Sequence, residues 1–157
     1  MMNIITREAT LNDLDSLLSL ADELALSDLP YDKQVQLDWA HSDKGIEYFK
    51  QKIEEKEAVC LVALHNNKLI GYATGGIKNI PSYRLIKVAE LENILVSHNF
   101  RNKGIGKLLV QTFLDWATEQ GADKASVSVF SSNVEGISFY IREGFAPYDL
   151  TLEIVLK

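Results

Sequence analysis

"ILVSHNFRNKGIGKLLVQTFLDWA", residues Ile94 to Ala117, decides how the rest of the chain is read. It opens as an apolar run and passes through a polar, basic turn carrying Gly104 and Gly106. It closes with apolar residues at Ile105, Leu108/Leu109, Phe113 and Trp116. That pattern is a strand ending near Val96 or Ser97, followed by a helix that begins almost on top of the glycines. A helix start presents backbone N–H groups without partners, and its dipole adds positive potential. Glycines let an anion come close to the backbone, and Arg101, Lys103 and Lys107 add charge around it. The turn reads as a cradle for a phosphate or pyrophosphate.

Outward from this point the chain alternates strand and helix patterns. "NIITRE" is a first strand, and Thr10 opens a helix with Asp13 as its capping partner. Residues 27–42 lose the helical period, and a loop of that length in a compact domain is often functional. A second helix is expected around Gly45–Glu57. "AVCLVALHNNKLIGYATGGI" gives two strands about a turn at Asn66-Asn67, and "LIKVAELENILVS" gives a further strand. The helix at Gly104–Gln120, the strand "KASVSVF" and a helix at about Asn133–Glu143 follow. Gly121 and Gly144 suit the positions just past the two helices, and Ser132 with Glu135 forms a capping box for the second. "FAPYDLTLEIVLK" supplies one or two strands more. The expected fold is α/β (α+β): a mixed, twisted sheet of six to seven strands flanked by about four helices, in a single domain over residues 3–157.

The 157 residues are 46% apolar and 24% charged, an ordinary globular balance. A formal net charge of −6 speaks against general nucleic-acid binding, which needs a basic face, and fits a cationic small partner better. Cys60 is the only cysteine, so a disulfide framework is excluded, and "AVCLVALH" makes it a buried apolar residue. With no apolar leader and no run long enough to span a bilayer, the expectation is a soluble, cytoplasmic protein without membrane association. His41, His65 and His98 are scattered, so no metal site is expected.

Three kinds of phosphate cradle can be set against the glycine turn. A Walker loop requires Ser or Thr after the Gly-Lys pair, and Leu108 follows Gly106-Lys107. A dinucleotide fingerprint requires a third small residue where Leu109 stands. The third fits: Arg101-x-x-Gly104-x-Gly106 resembles the [R/Q]-x-x-G-x-[G/A] loop of the GNAT superfamily of N-acetyltransferases. "ITREATLNDLDSL" and "ISFYIREGF" are similar to that superfamily's opening and to its fourth helix, so the resemblance runs along nearly the whole chain.

The resemblance implies a sheet that splays open between its fourth and fifth strands, with a bulge in the fourth strand that frees backbone amides at about Leu95–Ser97. It implies acetyl-CoA as acyl donor, with no metal, held by Leu95, Val96, Ser97, Arg101, Asn102, Lys103, Gly104, Ile105, Gly106, Lys107, Asn133 and Tyr140. The reaction it implies moves the acetyl group to a primary amine of a small molecule or peptide by direct attack in a ternary complex. The chemistry makes demands of its own. At an ordinary pKa, roughly one lysine-like amine in 2,500 is neutral at pH 7, the developing oxyanion needs donors, and the departing thiolate gains from a proton. Tyr140 matches the superfamily's leaving-group acid, or is an aromatic packing residue with a bonded hydroxyl. Glu90 and Glu92 stand in an apolar strand, on the face of Ile94 and Val96 by period two. They are base candidates, or they mark the solvated end of the sheet. The oxyanion donor would be a backbone N–H near Val96. Asn133 either touches the CoA arm or caps its helix.

For the acceptor, Asp22 to Asp43 holds six acids against one lysine. Asp28, Tyr31 and Trp39 are the candidate contacts to a cationic amine, although solvated surface charge accounts for the acids equally well. The alternative function is a non-catalytic acyl-CoA sensor or interaction module on the same fold. Homodimers in the superfamily often form through the late strands, and "LTLEIVLK" offers such an edge.

Overall fold

A computed structural model describes residues 2–157. Five strands form one sheet in chain order: β1 (Ile4–Glu8), β2 (Ala58–His65), β3 (Lys68–Ile77), β4 (Val88–Val96) and β5 (Lys124–Val127). The first three pairings are antiparallel and β4–β5 is parallel. A two-residue turn joins β2 to β3, with Asn66 and Asn67 at φ 50° and 61°, the left-handed backbone that such a hairpin needs. A parallel pair needs a longer crossover, and α3 (Ile105–Glu119) supplies it. The other helices are α1 (Leu14–Asp28), α2 (Asp43–Glu54) and α4 (Val134–Arg142).

The central strands are apolar on both faces because helices cover both. Val59, Leu61, Ala63, Ala73 and Leu91 pack against Leu109, Phe113 and Trp116 of α3. Cys60, Val62, Tyr72 and Leu95 pack against Leu17, Leu18 and Phe49 of α1 and α2. Cys60 is buried, as its setting predicts, and burial pushes its thiol up to about 12. Thr10 caps a short 3-10 turn, Leu11–Asp13, that leads into α1. The Asp13 carboxylate accepts from the Thr10 backbone N–H at 2.8 Å and from both Arg7 guanidinium nitrogens at 2.7 and 3.0 Å.

Two features of β4 set up the site. Thr74 lies opposite Asn93 but Gly75 lies opposite Leu91, so Glu92 is an extra residue, a β-bulge. Strict period two therefore fails here. Glu92 and Asn93 both turn toward α2, where they reach Tyr48, whereas Ile94 and Val96 pack with the α3 cluster. Glu90 and Glu92 thus do not share the face of Ile94 and Val96, because the inserted residue resets the alternation. The second feature is the end of β4–β5 pairing at Leu91 and Val127, while β4 runs on to Val96. Beyond the bulge the sheet is open on that side.

Three expectations are corrected. The sheet has five strands rather than six or seven: residues 145–157 form none, since β strands are defined by paired neighbours and this segment has no paired backbone beyond Phe145. The cap of α4 is Asn133 rather than Ser132, its Oδ1 accepting from the Gly136 N–H at 2.9 Å. Helix α2 begins at Asp43, two residues early, because the Ser42 hydroxyl accepts from the Gly45 N–H at 3.1 Å.

Candidate functional site

At the head of α3 the turn leaves its backbone donors free. Among the described residues, no N–H from Asn102 to Lys107 donates to a protein carbonyl, and the first to do so is Leu108, to Gly104 O at 3.1 Å. Asn102 and Gly104 take left-handed backbone, φ 59° and 79°, which curls the amides into a concave row. No atom lies within 4 Å of where a Cβ on Gly104 would point, so the face over the turn is open. Gly106 serves packing: a Cβ there would sit 3.3 Å from Cζ of Phe139 on α4. Ile105 is buried and anchors the helix start in the core.

The basic side chains divide. Arg101 turns back to the strand, its Nε donating to Val96 O at 2.9 Å and Nη2 to Ser27 Oγ at 3.3 Å, so it ties the turn to α1. Lys103 donates to Asn99 O at 3.1 Å, and Lys107 is exposed. The cradle is therefore chiefly backbone, with lysine charge at its margin.

The open edge of β4 leads from this turn into the molecule. The Ser97 N–H donates to Ile70 O of β3 at 2.8 Å. Strand alternation then turns the Leu95 amide toward β3 as well and the Val96 amide toward the gap. Tyr140, on α4, packs against Phe139 and Phe145 with ring centroids 5.1 and 5.7 Å away. Burial, then the Asp28 carboxylate, push its phenol up to about 12, with no hydrogen bond to the hydroxyl in opposition. At neutral pH the group is a protonated donor without a protein partner.

On the other side of β4 lies a cavity of about 260 Å³ between α1, the 29–42 loop, α2 and the bulge. Its walls are mostly apolar, with Leu24, Leu37, Trp39 and Phe49 among them, and its polar groups are Asp28, Gln36, Tyr48, Tyr72 and Asn93. Burial first, and Asp32 second, hold the Asp28 carboxyl above the usual carboxylate range. Asp28 and Trp39 thus come together here. Tyr31 does not line the cavity. It stacks on Phe130 at 5.6 Å and its hydroxyl donates to Asn133 Oδ1 at 3.4 Å, so it links the loop to the start of α4.

Both glutamates are ion-paired. Glu90 meets Lys78 at 2.6 Å, and Glu92 meets Lys52 at 2.7 Å while accepting from the Tyr48 hydroxyl at 2.8 Å. Tyr48 also contacts Thr74 Oγ1 at 2.9 Å and accepts from Asn93 Nδ2 at 2.9 Å. Glu92 thereby reaches the cavity wall through Tyr48, whereas Glu90 is directed to Lys78. The network of Tyr48, Thr74 and Asn93 was not singled out from the sequence. Its one signal is polar Asn93 and Thr74 inside otherwise apolar strands, and only the bulge explains why they meet. Among the described residues no three His, Cys, Asp or Glu side chains are grouped to hold a metal. No helix among them is long and apolar enough to cross a membrane.

The family model described as "Acetyltransferase (GNAT) family" matches residues 20–145. An uncharacterized N-acetyltransferase of Methanocaldococcus jannaschii is 28% identical over 141 residues, which are 88% of this chain and 59% of that protein. The chain thus spans about three fifths of that relative's length, and a 57-residue match to an uncharacterized N-acetyltransferase of Bacillus subtilis, 33% identical, covers 36% of this chain and 23% of that one. In structure, the chain is similar to a mutant of a Bacillus halodurans protein (TM-score 0.83, 19% identity, 98% and 99% of the two chains). It is also similar to an aminoglycoside N-acetyltransferase in complex with CoA (TM-score 0.79, 18% identity, 99% and 95%). At such identities the likeness in structure establishes the fold.

Proposed function

Because the chain belongs to the GNAT family of acetyltransferases, we propose that it transfers an acetyl group from acetyl-CoA to a primary amine by direct attack within a ternary complex. The observation that carries this reading is the row of six unpaired amides at the head of α3, opening onto the unpaired edge of β4. A diphosphate fits the first, and an extended amide-bearing arm fits the second as a strand substitute. Asn102 to Lys107 would hold the diphosphate through the backbone. The Val96 N–H, facing the gap, would donate to the carbonyl oxygen as it gains charge.

The acceptor enters from the cavity on the α1–α2 side. A cationic amine suits the Asp28 carboxyl and the Trp39 ring. To attack, it must lose a proton, and Glu92 is the base we assign, reached through the Tyr48 hydroxyl or a water. Glu90, committed to Lys78, is the lesser candidate. Attack by the neutral nitrogen forms the C–N bond, and the C–S bond then breaks as the carbonyl re-forms, the nitrogen's surplus proton leaving to solvent by the same relay. Tyr140, protonated at neutral pH, donates to the departing sulfur. Its pKa lies well above that of an ordinary thiol, so it stabilises the thiolate chiefly by hydrogen bonding. Fold neighbours that are aminoglycoside N-acetyltransferases support amino sugars as the first acceptors to try, with polyamines and lysine-containing peptides beside them.

The test is release of free thiol from acetyl-CoA by the purified protein across such an amine panel. Thiol release that depends on one amine class, with matching acetylated product by mass, is expected. Absence of release across the panel, together with no thermal stabilisation by acetyl-CoA, would overturn the reading. Stabilisation without release would instead favour an acyl-CoA sensor.

A further inference from the structure

The six acids between Asp22 and Asp43 do not act together. Asp22 contacts the His41 imidazole at 2.7 Å, and Glu23 accepts from the Ser97 hydroxyl and the His98 N–H at 3.1 and 2.7 Å. Asp32 accepts from the Gln34 N–H at 3.0 Å, and Asp38 and Asp43 are exposed. Asp28 alone reaches the cavity beside α1, and among the described residues lining it Asp28 is the one that carries charge. Its carboxylate has no hydrogen bond or ion pair within the described chain.

Around that carboxylate the surfaces are carbon. Leu24 comes from α1, Leu37 and Trp39 from the loop, and Phe49 from α2. Leu37 and Trp39 keep 42% and 39% of their surface exposed while bordering the cavity, apolar area that an apolar occupant would cover. Tyr72, 1% exposed, lines the same space, and its hydroxyl bonds to no group of the described chain. Burial, then Cys60 and Asp28, push the Tyr72 phenol up, as burial and then Asp28 push up that of Tyr140. One carboxylate thus lies within electrostatic reach of both phenols. The volume of about 260 Å³ has room for roughly nine water molecules, which suits a compact occupant. A second ammonium there would meet carbon rather than a counter-charge, and an unpaired charge in such surroundings is costly.

We infer that the cavity takes a monoamine: one primary ammonium at Asp28, on a compact alkyl or aryl body lying against Leu37, Trp39 and Phe49. The Tyr72 hydroxyl is a further hydrogen-bond partner for the amine end. As the acceptor class, this rests on the acetyltransfer reading; as a binding preference, it does not. It places arylalkylamines such as phenethylamine ahead of amino sugars and polyamines, whose additional charges find no partner on these walls.

Trp39 reports occupancy directly, since the other tryptophan, Trp116, is 7% exposed in the core. With and without desulfo-CoA, phenethylamine titrated into the full chain should change Trp39 fluorescence with at least tenfold higher affinity than spermidine, neamine or uncharged phenethyl alcohol. Asp28→Asn should weaken phenethylamine at least tenfold. Leu37→Asp, at a position open enough for the fold to accept it, adds a second carboxylate to the wall. It should move the preference at least tenfold toward spermidine. In thiol release from acetyl-CoA, phenethylamine should exceed spermidine and neamine at least tenfold in kcat/KM. Polycations that match phenethylamine in either assay, phenethyl alcohol that binds as well, a preference unmoved by Leu37→Asp, or no binding by any amine would each overturn the inference. Turnover that favours a polycation would leave acetyltransfer standing. Selective phenethylamine binding without thiol release from any amine would sink the enzyme reading and keep the cavity's preference.

Discussion

Gly104 and Gly106 stand two residues apart in the same turn and answer to different constraints. Gly104 needs the left-handed backbone, which costs a residue with a Cβ roughly 1–2 kcal/mol. Its Cβ direction is open, so Gly104→Ala should fold, while distorting the amide row and intruding over it. Its expected effect is at least a tenfold loss of CoA affinity by calorimetry, with unchanged affinity for the amine. Tyr140 is a different kind of residue, with a half-buried phenol whose hydroxyl has no structural duty. Tyr140→Phe should therefore keep the melting temperature within about a degree and lower kcat about 10²-fold, the low end for general-acid catalysis. Equal kcat would remove it from that role. Asp13 belongs to stability alone. Arg7 holds its pKa below the ordinary value, so its contribution is present above about pH 4 and disappears as pH falls through the folded-state value. With the Arg7 side chain 41% exposed, solvent screening limits the loss in Asp13→Asn to about 1–2 kcal/mol at pH 7. Denaturant titrations should show that deficit shrinking from pH 5 to pH 2.

Among the elements, β4 and α3 carry the proposed site, and they were unequally legible. α3 announces itself through helical period and two glycines, so its start was readable to one residue. The strand that precedes it was readable too, but the place of its bulge was not: the resemblance puts it near Leu95–Ser97, and the extra residue is Glu92. A bulge depends on which residue of β3 lies opposite, and Glu92 looks like one more alternate position until Thr74 and Gly75 are seen to skip it. That single inserted residue moves both glutamates to the α2 side and gives Glu92 its contact to Tyr48. The two carboxylates thus have different partners, Lys78 for Glu90 and Lys52 with Tyr48 for Glu92, although the spacing to Gly104 points to Glu90. Glu92→Gln should lower kcat/KM at pH 7 by tenfold or more, the gap narrowing toward pH 9 as the amine sheds its proton unaided. Glu90→Gln should change it less than threefold. A parallel drop for both variants, or a pH-independent one, would place the base elsewhere.

For the molecule as a whole, the fold class and the strand order up to β5 follow from local patterns, since each hairpin and crossover is coded by adjacent residues. The last segment is where such reading stops. Its alternation says strand with no ambiguity, but a strand is a property of two chains of backbone, and no sequence states where its neighbour lies. The open gap between β4 and β5 is a whole-molecule feature of the same type: it is a place where the sheet declines to pair, and in the proposed function the donor's arm pairs with it instead. A ligand that binds only the folded state raises stability by about 2.7 kcal/mol at one hundred times its Kd. For a domain of this size that is roughly 5–10 °C in Tm. Calorimetric melts with saturating CoA should show such a rise, and desulfo-CoA, which keeps the diphosphate and arm but has no thiol, should reproduce most of it. Inorganic pyrophosphate, which meets the α3 cradle but not the β4 edge, should give much less. A rise with pyrophosphate equal to that with CoA would mean the gap contributes no binding, and a sheet that opens there would need another explanation.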